Sequence, residues 1–357
     1  MLFGPLTLLL AAAPPEAPDP FAYDVVDVAP GVQAFVERKL NAIVSGTVVA
    51  ITGRDAVLVF DTGHHPRTAR RIVAELKERT DRPVRWVVVS HWHDDHWVGN
   101  AEFADAWPGL QVIAHPFTAK IMKDRQETFR GERCRTDLAN DSRPLREQLA
   151  SGKRPNGDPI PEASMTRLRD FVAAADEQAA QCEEMRYRGV DRTIDREETF
   201  DLGGRTVRLM FLGRGNTAGD LVAYLPEDRV LLTGDLVVRP FPFATQSYVT
   251  EWAAVLRRIG GMDLTAIVPG HGAVTRDGRY VADVAEILES ISRQGKAAWH
   301  AGMTVDELKA KIDLSALAER FAHGDAFIRL NLDYMMGLAM DRMWQELSGQ
   351  WKPEGDG

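Results

Sequence analysis

The apolar run TrpValValValSer at residues 86–90 leads directly into HisTrpHisAspAspHis, so that His91, His93, Asp95 and His96 fall within six residues. Such density of imidazole and carboxylate is the chemistry of a divalent-metal site. Residues two apart in an extended segment point the same way, so His91 and His93 can close on one ion. The strand end gives them a rigid base. Where the chain then turns into a helix beginning near Trp97, Asp95 and His96 are directed to a second position close by. Two-metal sites of this kind lie roughly 3.5–4 Å apart and generate a hydroxide nucleophile at neutral pH without a serine or cysteine.

The rest of the chain is patterned to carry such a site. Short β-branched runs at Tyr23–Val28, Val32–Val36, Ser45–Thr52 and Ala56–Phe60 predict an antiparallel meander. A proline-opened helix over Pro66–Arg79, a strand over Val84–Val89, a helix over Val98–Ala106 and a strand over Leu110–Ala114 follow. Between about residues 117 and 195 the texture becomes charged and helix-favouring, with an amphipathic stretch at Thr166–Met185, which reads as a helical insertion. Strands resume at Glu198–Leu202, Thr206–Phe211, Asp220–Leu225 and Arg229–Thr233, the first two joined by a GlyGly turn at 203–204. A helix over Thr250–Ile259 and a strand over Leu264–Val268 complete the pattern, and from Tyr280 the chain is helical to its end. Two runs of sheet, each with helices, imply an α/β sandwich.

With Asp61 in PheAspThrGly, GlyAsnThrAlaGlyAsp at 215–220, ThrGlyAspLeu at 233–236 and ProGlyHisGly at 269–272, the chain resembles the metallo-β-lactamase fold superfamily over about residues 23–290. The resemblance implies a four-layer αβ/βα sandwich with the metals at one edge, a domain over 21–290 and a helical C-terminal extension over 291–357. By matching positions, Asp235 would bridge two metals, and His271 would join Asp95 and His96 at the second. Asp61 would hold the metal loop by hydrogen bonds rather than touch metal. Where most members carry a third histidine for the first metal, this chain has Asn216, a neutral and weaker zinc ligand. Three readings stay open: two zinc ions with Asn216 as a weak ligand, one ion held mainly at the second position, or another metal such as iron or manganese. The first is preferred, because His91, His93 and Asp235 would be hard to explain beside an empty position.

Other histidines carry weaker signals. His64 and His65 follow Asp61 at a strand end facing the metal edge, and His115 ends another strand; each is a candidate for substrate contact beside a plain structural reading. Trp92 and Trp97 bracket the motif and are expected beneath the metal loop. Arg214 fits either a substrate carboxylate or a surface ion pair. Cys134 and Cys182 fit one disulfide or two buried thiols.

The implied activity is metal-dependent hydrolysis of a small-molecule ester, thioester, lactone or lactam. A metal-bound hydroxide would attack the carbonyl, and Asp95 would orient it and pass its proton to the leaving group. The alternatives are a β-lactamase proper, or a mononuclear iron oxidoreductase of the same fold. A formal charge of −9 with no basic patch argues against nucleic acid as a partner. No apolar stretch is long enough to span a bilayer. Residues 1–20, an apolar run from Leu2 to Leu10 followed by Ala11–Ala13 and a proline-rich spacer, read as an export signal without its usual basic leader, which implies a periplasmic or secreted protein. The methionine-rich final helix reads as core or as a subunit interface.

Overall fold

The computed structural model describes residues 19–38, 45–126, 131–154 and 157–350. Almost all of the expected export signal lies outside them.

Sequence-adjacent strands pair into the first sheet in chain order: β1 (Tyr23–Ala29), β2 (Val32–Glu37), β3 (Val48–Thr52), β4 (Val57–Phe60), β5 (Val84–Val88), β6 (Gln111–Ala114) and β7 (Arg192–Thr193). The pairings from β1 to β4 are antiparallel, which needs only tight turns. Those from β4 to β7 are parallel and need crossovers. Helices α1 (Pro66–Arg79) and α2 (Asn100–Ala106) supply the first two. The third is the insertion, built of α3 (Pro116–Asp124), α4 (Gly131–Ser151) and α5 (Glu162–Gln181).

The second sheet runs β12 (Ala266–Val268), β11 (Val230–Leu232), β10 (Leu221–Leu225), β9 (Thr206–Phe211) and β8 (Glu197–Asp201). It is antiparallel except for β11 and β12, which lie parallel across α6 (Val249–Gly260). The remaining helices are α7 (Arg279–His300), α8 (Val305–Lys311), α9 (Ser315–Ala322) and α10 (Ala326–Leu347).

Three apolar clusters define the layers. Val49, Ile51, Leu58 and Phe60 of the first sheet meet Leu209, Leu221, Ala223 and Leu232 of the second. Alternate residues of the same strands, Val48, Ala50, Val57 and Val59, pack outward against Ile72 and Leu76 of α1, Phe103 of α2 and Ile121 of α3. On the other side, Met210, Val222 and Leu231 pack against Trp252 and Leu256 of α6 and Ile287 and Ile291 of α7. The order is helix, sheet, sheet, helix, as the αβ/βα expectation requires.

The boundary expected near residue 290 falls inside α7, and Leu332, Met336, Met340 and Met343 of α10 share the α6–α7 cluster. The terminal helices therefore extend the outer helical layer. Within the insertion, Cys134 of α4 and Cys182, just after α5, form a disulfide. No helix among the described residues is long and apolar enough to cross a membrane.

Candidate metal centre

The carboxyl ends of β4, β5, β11 and β12 open on one edge of the sandwich, and each carries part of the site: Asp61, the 90–96 segment, Asp235 and His271. Asp94–His96 form a single 3₁₀ turn between β5 and α2, and Gly234–Leu236 form another after β11. Backbone bonds lock these loops together. Leu221 N donates to Ser90 O at 2.8 Å, Thr47 N to Gly270 O at 2.7 Å and Gly46 N to Asp95 O at 2.9 Å.

Two groups of ligand atoms converge, each within 4.8 Å: His91, His96 and Asp235, and Asp95, His96 and His271. In the second region His96 Nε2 lies 3.4 Å from Asp95 Oδ2 and 3.3 Å from Asp235 Oδ1, while His271 Nε2 lies 3.0 and 3.5 Å from the same two oxygens. Four donors bound to zinc at its usual bond lengths of 2.0–2.2 Å stand about 3.3 Å apart along the edges of the tetrahedron. The arrangement matches. In the first region His91 Nε2 faces His93 Nδ1 at 2.9 Å and Asp235 Oδ2 at 3.7 Å. Asp235 thus turns one oxygen toward each region, and His96 stands between them rather than wholly in the second.

Hydrogen bonds on the far side of the His91 and His96 rings turn the Nε2 atom of each toward the converging groups. Asp61 Oδ2 accepts from His96 Nδ1 at 2.8 Å and from Ser90 Oγ at 2.7 Å, and Ser90 Oγ in turn accepts from His91 Nδ1 at 2.9 Å. One carboxylate therefore anchors the Nδ1 atoms of two imidazoles, one directly and one through Ser90, and leaves their Nε2 atoms facing inward, as metal ligation requires. Asp61 Oδ1 accepts from Ser90 N at 2.7 Å. Burial pushes the Asp61 carboxyl upward, against the pull of His96 and Ser90.

Several inward atoms have no hydrogen bond. Among the described residues these include His96 Nε2 and Asp235 Oδ1; both polar atoms of the Asn216 side chain are likewise buried with no hydrogen bond. Leaving such groups unpaired costs about 1–3 kcal/mol each. A cation is the ligand that would satisfy nitrogen lone pairs and carboxylate oxygens together, so the donor set fits a divalent metal. Asn216 is held rigidly: the Asp220 carboxylate accepts from Gly215 N at 3.2 Å and Thr217 N at 2.9 Å, gripping the residue on either side.

The electrostatics divide the histidines. Burial holds His91 well below its ordinary pKa, with His96 and His93 adding to the effect, and burial also lowers His93. For His96 burial opposes protonation, but Asp95, Asp235 and Asp61 outweigh it and raise it well above the ordinary value. His271 is raised in the same way by Asp235 and Asp95. Burial acts against ionisation of Asp95, yet His96 and His271 hold it well below the carboxylate range.

Glycines let the loops approach. A Cβ at Gly270 would stand 2.0 Å from Asp235 Oδ1, and Gly272, with φ +84°, turns the chain sharply after His271.

The other candidates stand outside both converging groups. His65 is fully buried, stacked on Phe21, with Nδ1 against Gln178 Oε1 of α5 at 2.5 Å. His64 lies beside the same Gln178, at 3.3 Å, and its backbone N–H donates to Ser45 Oγ. This pair joins the metal edge to the insertion. His115 accepts from Phe117 N to cap α3 and packs on Phe211. Trp92 and Trp97 are buried beneath the loop, the Trp97 indole donating to Trp92 O. Arg214 pairs with Glu251.

Sequence reading passed over Ser90, Asp94 and Gln246. Ser90 directly precedes His91, just past the end of β5, a position that marks it in retrospect. Asp94 pairs with Arg125 at the end of α3. Gln246, 153 residues from His93, has no local signal.

A match to the family model described as the metallo-beta-lactamase superfamily covers residues 43–271. Among curated relatives, a linear primary-alkylsulfatase of Pseudomonas sp. is 22% identical over 280 residues, 74% of this chain and 49% of the relative. The 2,4-dinitroanisole O-demethylase subunit alpha of Nocardioides sp. is 24% identical over 264 residues, 72% of this chain and 62% of the relative. The chain thus spans about half to three fifths of their lengths. Among solved structures, a metallo-beta-lactamase from Pontibacter korlensis matches with a TM-score of 0.51 at 18% identity, covering 75% of this chain and 99% of that one. From the family match, the shared architecture and the converging donors, the chain belongs to the metallo-β-lactamase superfamily.

Proposed function

We propose that the protein is a hydrolase that holds two zinc ions and cleaves an ester-like bond in a small molecule, with esters, thioesters, lactones and lactams as the substrate classes. The observation that carries this is the orientation of His91 and His96 by Asp61, which turns the Nε2 atoms of both rings toward the Asp235 carboxylate. His91, His93, Asp235 and the weak ligand Asn216 would hold one ion, and Asp95, His96, His271 and Asp235 the other. Bound there, the ions would supply Lewis acidity that polarises the scissile group and acidifies water.

The protein's own groups divide the remaining work. The Asp95 side chain is 15% exposed, against 7% or less for His91, His96, Asp235 and His271, so it stands at the opening of the cluster. Its Oδ2 faces His271, which leaves Oδ1 to take a proton from water and deliver it to the leaving group. His93 and Asp94 are also only half-buried, which places the mouth over residues 93–95. Phe243, partly exposed, approaches the His93 ring edge-on and would offer the substrate an apolar wall, while the buried Trp92 supports the ring from within the protein. The named activities of the alkylsulfatase and O-demethylase relatives favour testing sulfate esters and aryl ethers alongside carboxylic esters. The Cys134–Cys182 disulfide supports an exported protein, since such bonds persist in oxidising compartments.

The test is metal content and hydrolysis measured together on the native chain and on His93→Ala, with a panel of esters, thioesters, lactones, lactams and alkyl sulfates. About two zinc ions per chain and a loss of most activity in the variant are expected. Stoichiometric iron with oxygen uptake and no hydrolysis would overturn the proposal.

A further inference from the structure

His93 is the one histidine of the motif whose outer nitrogen does not lead back to Asp61. Its Nδ1 faces His91 Nε2 at 2.9 Å, and its Nε2 stands 3.2 Å from Gln246 Oε1. We infer that Gln246 is a positioning residue for the first metal position, fixing the ring plane and tautomer of His93 as Asp61 fixes those of His91 and His96. The inference rests on the two-ion reading above.

An amide oxygen can only accept, so the contact places the hydrogen on His93 Nε2 and leaves Nδ1 as a lone pair. The partner is needed because the ring is half-buried at the mouth of the site, where packing alone holds it less firmly than it holds His91. Thr245 Oγ1 donates to the same Oε1 at 2.5 Å, which fixes the amide's orientation.

The segment that carries Gln246 is tied to two further ligand loops. Arg239 N donates to His271 O at 3.1 Å, and Tyr248 N donates to Gly215 O at 2.8 Å, beside Asn216. Within it, Ser247 Oγ donates to Ala244 O, and Ala244 and Ser247 are fully buried. Residues 239–248 thus join the loops bearing His271 and Asn216 to the ring of His93. An imidazole held in its ligating orientation offsets the weakness of the neutral Asn216 amide at the same position.

The experiment titrates zinc chloride, against a competing chromophoric chelator, into the metal-stripped full chain and into Gln246→Leu and Gln246→Glu. Gln246 is partly exposed, so the leucine leaves no buried void, and matching melting temperatures check the fold. In Gln246→Leu the weaker of the two dissociation constants should rise 10- to 100-fold while the tighter one stays within about threefold. Gln246→Glu, which keeps an acceptor at the same reach, should return the weaker constant to within about threefold of the native value. The inference is overturned if the native chain takes up two ions and Gln246→Leu leaves both constants unchanged, if both rise equally, or if the glutamate variant is no better than the leucine. Uptake of a single ion by the native chain would refute the two-ion reading and this inference together.

Discussion

Replacing Asp61 by asparagine changes one buried oxygen to an amide nitrogen, and the structure makes the consequence calculable. Asp61 occupies the left-handed region at φ +58°, where asparagine is among the best-tolerated residues, so the backbone is left undisturbed. One acceptor survives to receive Ser90 N. At the other position an NH₂ group would face two donors, His96 Nδ1 and Ser90 Oγ. The hydroxyl can turn to accept, but it then donates to His91 Nδ1 and moves the His91 hydrogen to Nε2, the nitrogen that faces inward. His96 must flip its tautomer or lose its bond. Loss of a ligand's orienting partner costs about 10- to 100-fold in metal affinity, roughly 1.4–2.7 kcal/mol. Asp61→Asn should therefore weaken zinc at both positions by that factor each, read by chelator competition. Ser90→Ala cuts only the branch to His91 and should weaken one position alone. If both constants of Asp61→Asn stay within about threefold of the native values, the relay does not set the tautomers and the reasoning fails.

Restoring histidine at Asn216 should tighten the weaker zinc constant at least tenfold and leave the tighter one unchanged, as measured by the same titration. Because carboxylates raise His96 and His271 while burial lowers His91 and His93, zinc entering the second position should release more protons at neutral pH than zinc entering the first. The affinity of the second position then rises with pH; calorimetry in buffers of different ionisation enthalpy reads the proton release directly, and its absence at both steps would contradict the assignment. Burial pushes Glu37 up to about 8, with His271 and the Ser45 N–H opposing the shift. Its folded pKa lies above its unfolded one, so folding stability falls as pH rises from about 4.5 to 8, by at most roughly 4–5 kcal/mol. In metal-stripped protein, Glu37→Gln should reduce the drop in melting temperature between pH 5 and pH 9; an unchanged drop would refute that burial.

What was legible in the sequence was what is local. The spacing of His91, His93, Asp95 and His96 carries its geometric meaning within six residues, and the β-branched runs mark β3 and β4 as strands, although both faces of each are apolar and buried, so that only packing decides which meets the second sheet. Asp61 and His271 could be placed because the motifs that carry them, PheAspThrGly and ProGlyHisGly, match the family resemblance. The sharing of His96 between two ligand groups was not legible, since it depends on how the 3₁₀ turn at 94–96 meets Asp235, 139 residues away. Nor was the burial of His65: the chain says that it follows a strand end, but only the docking of α5 puts Gln178 against it. The disulfide and the Gln246 contact are likewise products of tertiary approach, with no periodicity or turn chemistry to announce them. The terminal helices read as an extension because the family resemblance stops near residue 290; only the packing of α10 on α6 and α7 shows that they share a core with the sandwich.

The central claim is most directly tested by anomalous diffraction at the zinc edge from crystals of the native full chain. The account expects one peak among Asp95, His96, His271 and Asp235 and a second, roughly 3.5–4 Å away, beside His91 and His93. Ordered imidazoles with no peak near them after zinc soaking would contradict it.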